Sequence, residues 1–443
     1  MSMHLLMTDK CLLFVLIISL ILMIRSMRKE PIRRAFFSIF QKPIAVSAAI
    51  ILLFFLLIGV LDSIRIDTET SSGSVLDRVL APLGDQYEKT YSSPLALTLY
   101  SSETIFAQGK MEQVYPRLDY PPNHITNNHD KWRLVYIVVV KTLLISCIVM
   151  LFLWVTHVSY RRFLQGRWYY SLRATGISAY VTLFLCSVIV LGSYWLSRDF
   201  HLLGTGKIGQ DIFYYTIKSI RTGLVIGILT TLFTMPLALL LGIAAGYYGG
   251  LVDDIIQYIY TTLSSIPGVL LITASVLSMQ TYIANHPQQF TTLAENADAR
   301  LLALCLILGV TSWTSLCRLL RAEALKLREI DYVLAAKALG SSSFKIICKH
   351  LLPNVMHIVL ITLVLDFSFL VLAEAVLSYV GVGVSPMTIS WGNMINAARL
   401  ELAREPIVWW PMMAAFIVMF ILVLASNIFA DAVRDAFDPH QVR

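Results

Sequence analysis

The chain has 443 residues, enough for two or three soluble domains, yet 57% are hydrophobic and only 14% are charged. Soluble domains carry about 25% charged residues, so this chain lacks the polar surface to cover a globule of its size, and a cytosolic enzyme, a disordered chain and a nucleic-acid binder are excluded. The net charge of +7 is topological, because Lys and Arg gather beside long apolar runs, where they orient a membrane protein.

Crossing a bilayer takes roughly 20 mostly apolar residues, and nine runs of that order follow one another: 11–25, 44–61, 134–157, 177–196, 222–245, 257–280, 300–317, 354–380 and 411–430. The first is short. No small-residue cleavage site follows it, whereas Arg25, Arg28 and Lys29 do, so it reads as a span rather than a signal core. Segment 25–43 adds Arg33, Arg34 and Lys42 against the single acid Glu30, and segment 159–176 holds Arg161, Arg162, Arg167 and Arg173 against none. Both belong in the cytoplasm. Counting spans then puts 318–353 inside, where seven bases face three acids, and 62–133 outside, where ten acids face seven bases. The N-terminus falls outside and the C-terminal tail inside.

Segment 62–133 is rich in Ser, Thr, Asn, Asp and Pro, with few apolar residues in periodic order, and predicts a small lid or a partly ordered loop. Lys141, in the third run, is placed to snorkel to the external interface. The six cysteines (Cys11, Cys147, Cys186, Cys305, Cys317, Cys348) lie in or beside apolar runs with no CxxC, and supply neither a disulfide framework nor a metal site. Gly246, Gly249 and Gly250 read as a turn. The chain has no GxxxxGK[ST], so it does not itself bind ATP by a P-loop.

The most informative stretch runs from Leu327 to Asn354. Asp331 is placed to cap a helix starting at Tyr332, Ala335 and Ala336 keep one face small, and Gly340 can end it in the left-handed conformation. Ser341 to Ser343 would cap a second short helix, which Pro353 separates from the next span. A thin helix across the cytoplasmic ends of the spans suits insertion into a partner's groove. Further along, Asp366 and Glu374 stand inside the eighth run. A carboxylate in hydrocarbon costs about 3 kcal/mol, so such groups normally face a bundle interior or cavity. For Glu374 the favoured role is a structural hydrogen bond. For Asp366, lining a translocation path and bonding a neighbouring helix stay open.

The segment Tyr332, Val333, Ala335, Ala336, Leu339, Gly340, Ile346, Lys349, His350, Leu352, Pro353, Asn354 resembles the EAA loop of binding-protein-dependent ABC importer permeases, in its oligopeptide and dipeptide branch. Leu334 stands where the family has Glu, and His350 where it has a later Ile. Other matches follow in family order. Leu203, Gly204, Thr205, Gly209 and Asp211 resemble an external motif in which Gly206 and Gln210 replace an Asp and an Arg. Gly246 to Asp253 is similar to a glycine-rich turn, and Ser265-Ile266-Pro267 to a proline-bent span. Ala373 to Val384 with Pro386 and Ser390-Trp391-Gly392, then Asp435-Ala436-Phe437-Asp438-Pro439, complete the likeness over about residues 200–440.

The resemblance implies an all-α polytopic bundle in two parts. Residues 1–199 are an N-terminal extension with about four spans and the external loop 62–133, and residues 200–443 are the permease core with the coupling loop 318–353. It implies a transport subunit of the bacterial inner membrane rather than an enzyme, without cofactor or metal, importing oligopeptides or dipeptides. Its partners would be a second homologous permease, two P-loop ATPases, an extracytoplasmic binding protein and membrane lipid, with no nucleic acid. Asp331, Tyr332, Ala335, Ala336, Gly340, Leu352 and Pro353 would form the ATPase-coupling loop, and Asp366 and Glu374 are candidates for the translocation path. Nickel or microcin-type peptides are alternative cargoes of the branch. The rival class is a proton-coupled secondary transporter with Asp366 and Glu374 as its relay.

Overall fold

The computed structural model describes residues 2–28, 30–68, 71–84, 86–107, 110–125, 127–165, 174–286 and 292–437. Lys29, Arg167, Arg173, Asp438 and Pro439, which figure in the charge and motif readings above, lie outside the described residues. In chain order the elements are β1 (Ser2–His4), α1 (Met7–Ser26), α2 (Glu30–Ile39), α3 (Pro43–Ser63), β2 (Arg65–Thr68), β3 (Ser71–Ser74), α4 (Val75–Val79), α5 (Ala81–Gly84), β4 (Glu103–Ala107) and β5 (Lys110–Val114). There follow α6 (Asn128–Gln165), α7 (Ala174–Leu196), α8 (Ile212–Tyr248), α9 (Gly250–Ser265), α10 (Gly268–Asn285), α11 (Leu293–Arg328), α12 (Asp331–Ala338), α13 (Ser343–Ile346), α14 (Leu352–Val380), α15 (Trp391–Ala398) and α16 (Trp410–Phe437). Among the described residues nine helical stretches are long and apolar enough to cross a membrane, so the all-α bundle is what these residues form.

Eight of the nine stretches contain the expected runs. The sixth is displaced: instead of 257–280, the span is α10, and 250–265 is a separate helix. Pro267 has no N–H to continue α9 and drives Ile266 into the extended region, with φ −84° and ψ 131°. Helix α9 buries Ile256 and Tyr260, with Asp253 and Gln257 half-buried on the same face and Asp254 exposed.

The chain divides into two compact units, each assembled from separate stretches. One consists mainly of 37–220 with 389–425. In it α7 packs on both α3 and α6. Hydroxyls mark both seams: Ser47 Oγ lies 2.6 Å from Ser178 Oγ and accepts from Thr182 at 2.8 Å, and Ser146 Oγ lies 3.1 Å from Ser187 Oγ. Small side chains allow close approach, and each hydroxyl finds a partner where lipid offers none. The Lys141 ammonium sits 4.3 Å from the centre of the Trp195 ring.

The described residues of segment 62–127 belong to this unit and form paired strands and short helices around buried side chains, more order than a partly ordered loop predicts. Strands β2 and β3 pair antiparallel, as do β4 and β5. Helix α4 begins in a capping box, in which Ser74 Oγ accepts from the Asp77 N–H and the Asp77 carboxylate from the Ser74 N–H. Leu76, Leu83, Tyr91, Leu99, Leu118 and Ile125 are all buried. They have no periodic spacing, so only their convergence in space reveals a core.

The other unit consists mainly of 4–36 with 221–388. Its first element, α1, is docked rather than peripheral. The Thr8 N–H donates to Asp298 Oδ2 at 3.0 Å, Arg221 Nε donates to Asp9 Oδ1 at 2.8 Å, and Leu12 is buried. The opposite face of α1 exposes Phe14, Ile17, Ile21 and Ile24.

Candidate functional site

Helix α11 ends at Arg328, and Ile330 turns extended before α12 begins. Asp331 is the first residue of α12, not its cap. The N-cap position falls to Ile330, which has no side-chain acceptor, and Asp331 serves instead as a carboxylate in the first turn, where the partial positive charge of the helix end favours it. The C-terminus follows expectation. The Gly340 N–H donates to Lys337 O at 3.0 Å, the Ser341 N–H donates to Ala336 O at 3.1 Å, and Gly340 has φ +74°, which together make a Schellman motif.

Which face of α12 looks inward is decided by Val333, 2% exposed in a core that includes Trp313, Leu320 and Leu327 from α11 and Ile346 and Val355 from the segment that follows. Ala336, one turn on, packs against the same core. Ala336 is therefore an anchoring residue, while Ala335 is exposed. The outward surface is more apolar than the small-face reading predicts: Leu334 is exposed, Leu339 is 86% exposed, and Phe344 at the start of α13 is 77% exposed.

Beyond Gly340 the chain does not break at Pro353. Ser342 holds the N-cap position of α13 without a side-chain bond, and a wide π turn at Ile347–Leu351 leads straight into α14. Pro353 sits in the first turn of α14, where its missing N–H is least costly, and the Leu352 N–H reaches back to Ile347 O. Leu352 packs against the core named above. The two ends of this hairpin are tied directly: Asn354 Nδ2 donates to the Tyr332 hydroxyl at 2.7 Å and to His350 O at 2.8 Å, and the Tyr332 and His350 rings lie 5.9 Å apart.

The hairpin rests on α11, which is braced in turn against α8 and α9. Cβ atoms at Gly242 and Gly246 would meet Leu320 Cβ at 2.8 Å and Ala324 Cβ at 2.5 Å, so α8 and α11 approach more closely than any larger residue allows. Arg321 forks onto Asp253 at 2.5 and 2.7 Å, joining α11 to the first turn of α9. The hydrogen bonds of Arg321 outweigh desolvation and hold the Asp253 carboxyl below its usual range.

The two intramembrane acids differ. Glu374 is buried and accepts from Ser378 Oγ at 2.7 Å, one turn on in α14, in keeping with a structural role. Asp366 is half-buried, and among the described residues no hydrogen bond or ion pair reaches it. The structure brings neither acid to the hairpin formed by α12 and the start of α14.

The loop before α8 carries the external motif. Asp211 caps α8 by accepting from the Tyr214 N–H at 2.8 Å, and its other oxygen lies 2.6 Å from His201 Nδ1. His201 Nε2 lies 3.6 Å from Glu88, whose carboxylate accepts from the Tyr120 and Asp119 N–H groups. Burial alone would lower the His201 pKa, but the hydrogen bonds and charges of Asp211 and Glu88 override it and push His201 up to about 9. The Thr205 carbonyl accepts from Trp410 Nε1 at 3.0 Å, and the Thr216 carbonyl from Trp391 Nε1 at 3.1 Å. The motif is thus a structural latch. Glu88 and His201 were invisible to sequence reading, since 113 residues separate them and neither stands in a recognisable pattern.

Four matches to known proteins bear on this arrangement. A family described as "Binding-protein-dependent transport system inner membrane component" matches residues 238–443. The dipeptide transport system permease protein DppC of Lactococcus lactis is 31% identical over 242 residues, which are 55% of this chain and 64% of that protein, just under two thirds of its length. The glutathione transport system permease protein GsiD of Pectobacterium atrosepticum is 30% identical over 54% of this chain and 72% of its own length. The oligopeptide transport system permease protein OppC of Mycobacterium tuberculosis is 30% identical over 54% of this chain and 76% of its own.

Proposed function

The chain belongs to the family of binding-protein-dependent transport system inner membrane components, of the oligopeptide and dipeptide permease type, and on that premise we propose that it is one permease subunit of an ATP-driven peptide importer. It is a multi-pass protein of the inner membrane. The hydrolytic partners are two P-loop ATPases, the second half of the pathway is a homologous permease, and cargo arrives on an extracytoplasmic binding protein. The cargo is an oligopeptide or dipeptide, the class named for two of the three relatives above.

One observation carries the reading. An eight-residue helix, α12, is anchored to its own bundle through Val333 and Ala336 while presenting Leu334, Leu339 and neighbouring Phe344 outward. Large apolar side chains left exposed at the cytoplasmic end of a bundle mark a protein interface. The tie from Tyr332 to Asn354 connects that helix directly to α14, and α11, on which it rests, is joined to α9 by the Arg321–Asp253 fork, so a push on α12 moves spans rather than a loop. Residues 332–340 are the coupling helix on this proposal, with Asp331, Ala335, Gly340, Leu352 and Pro353 setting its placement and ends.

The test is reconstitution with the second permease, the ATPases and the binding protein in proteoliposomes. Labelled peptide should accumulate with ATP and fail to accumulate with a non-hydrolysable analogue. Accumulation driven by a proton gradient without ATP would instead identify the secondary-transporter class, and uptake of nickel without peptide would reassign the cargo.

A further inference from the structure

Near its N-terminal end helix α11 carries one basic residue, Arg300, besides the acids Glu295 and Asp298. Arg300 is its eighth residue, roughly 10 Å along the axis from Leu293 at 1.5 Å per residue. Asp298, the nearest acid along the helix, is taken by Thr8 and Arg221. Among the described residues no acceptor pairs with Arg300, although its Nε is enclosed from solvent. Arg300 lines a narrow cleft with an interior of about 10 Å³, open at its mouth, between α10, α11 and the turn after α14. Gln280 is the other polar side chain of the wall, Val276, Ile283 and Leu304 form its apolar side, and Gly383 borders it. Those three apolar residues are among the buried core of the bundle, so the cleft lies beside the core.

A guanidinium Nε shut off from solvent without an acceptor is costly, and charged groups within membrane proteins ordinarily face a cavity or pathway. Its planar fork matches an oxyanion of two oxygens, and Gln280 can add an amide donor. We propose that this cleft is a passenger site, in which Arg300 and Gln280 receive the terminal carboxylate of a peptide entering from the external side. The proposal rests on the peptide-permease reading above and adds the group of the cargo that the chain recognises.

The test uses the reconstituted complex in phosphatidylcholine vesicles, with Arg300→Gln, Arg300→Lys, and Arg300→Cys in a background free of the native cysteines. The probes are trialanine with a free terminal carboxylate and its C-terminal amide. Arg300→Gln should lower uptake of the free acid at least ten-fold while changing amide uptake less than two-fold, and Arg300→Lys should keep more of the free-acid uptake. Modifying Arg300→Cys with a cationic ethylammonium thiol reagent should restore free-acid uptake, and a neutral methyl reagent should not. Equal loss for both probes, or no loss, overturns the site. Loss of bound phospholipid from Arg300→Gln with free-acid uptake unchanged would assign the cleft to a lipid phosphate and overturn it as well. If Arg300→Gln does not assemble, Gln280→Leu carries the same acid-to-amide comparison, with a several-fold selective loss expected and an equal effect on both probes overturning the proposal. A wild-type complex whose ATPases respond to loaded binding protein but that moves neither probe would instead fail the peptide reading itself, and this site with it.

Discussion

The Tyr332 hydroxyl accepts a 2.7 Å hydrogen bond from Asn354, joining the first turn of the short helix α12 to the first turn of α14. Residues 22 positions apart thereby move as one body. Tyr332→Phe removes the acceptor and leaves Asn354 its bond to His350, at a cost of roughly 1 kcal/mol for one partly exposed bond. The variant should assemble and hydrolyse ATP normally, yet move at least two-fold less peptide per ATP. Simultaneous measurement of uptake and phosphate release checks this, and an unchanged ratio would remove the bond from the coupling route.

Leu339 and Ala336 should respond in opposite ways to the same substitution. Ala336→Glu puts a carboxylate against the core around Val333, where desolvation costs several kcal/mol, so the chain itself should lose stability. Leu339→Glu alters a side chain already 86% exposed and should leave the melting temperature unchanged while the ATPases fail to co-purify. Retention of the ATPases by Leu339→Glu would place the docking surface elsewhere.

Two glycines near the hairpin should fail for different reasons. Gly246→Val drives a side chain into Ala324 and the Arg321 carbonyl, an overpacking cost of about 1–3 kcal/mol that should lower the melting temperature of the purified chain. Gly340→Val has open space around it but forces a β-branched residue to φ +74°, a strain of about 1–3 kcal/mol confined to the end of α12. Its signature should be faster proteolysis between 338 and 345 with global melting nearly unchanged.

The His201, Asp211 and Glu88 cluster predicts a pH dependence of stability. The folded-state pKa of His201 is raised from 6.5 to about 9, so its stabilisation is fully present below pH 6.5 and is lost as pH rises through 9. The full difference is on the order of 3 kcal/mol. Glu88, held below its usual range by His201 and two backbone N–H groups despite burial, acts in the opposite direction, losing its stabilisation as pH falls below the ordinary carboxylate range. Thermal melting followed from pH 6 to 10 should therefore decline at the alkaline end, and His201→Gln should flatten the decline. An equal slope in the variant would show that another group titrates.

Asp366→Asn should fold and assemble as the parent does, because among the described residues no group is paired with this carboxylate. Uptake should remain dependent on ATP and indifferent to a protonophore in both forms. Loss of uptake on collapsing the proton gradient in the parent, absent in Asp366→Asn, would revive the proton-relay class.

The spans were legible because a membrane imposes a local rule: about 20 apolar residues show themselves without knowledge of their neighbours. Gly340 was legible for a similar reason, since a left-handed helix end asks for one residue type. Pro267 was misread by the same local logic, because the apolar run continues through it although the backbone does not. Other features depended on what lies across space. Asp331 lost the capping role because Ile330, not it, is extended, and Ala336 turned inward because Val333 beside it meets Trp313 from α11. The folded external segment could not be seen in advance, because its buried residues share no period and meet only when β2–β3 and β4–β5 close. The same holds for Glu88 with His201 and for unpaired Arg300: whether a charge has a partner is a property of distance, and sequence records only order.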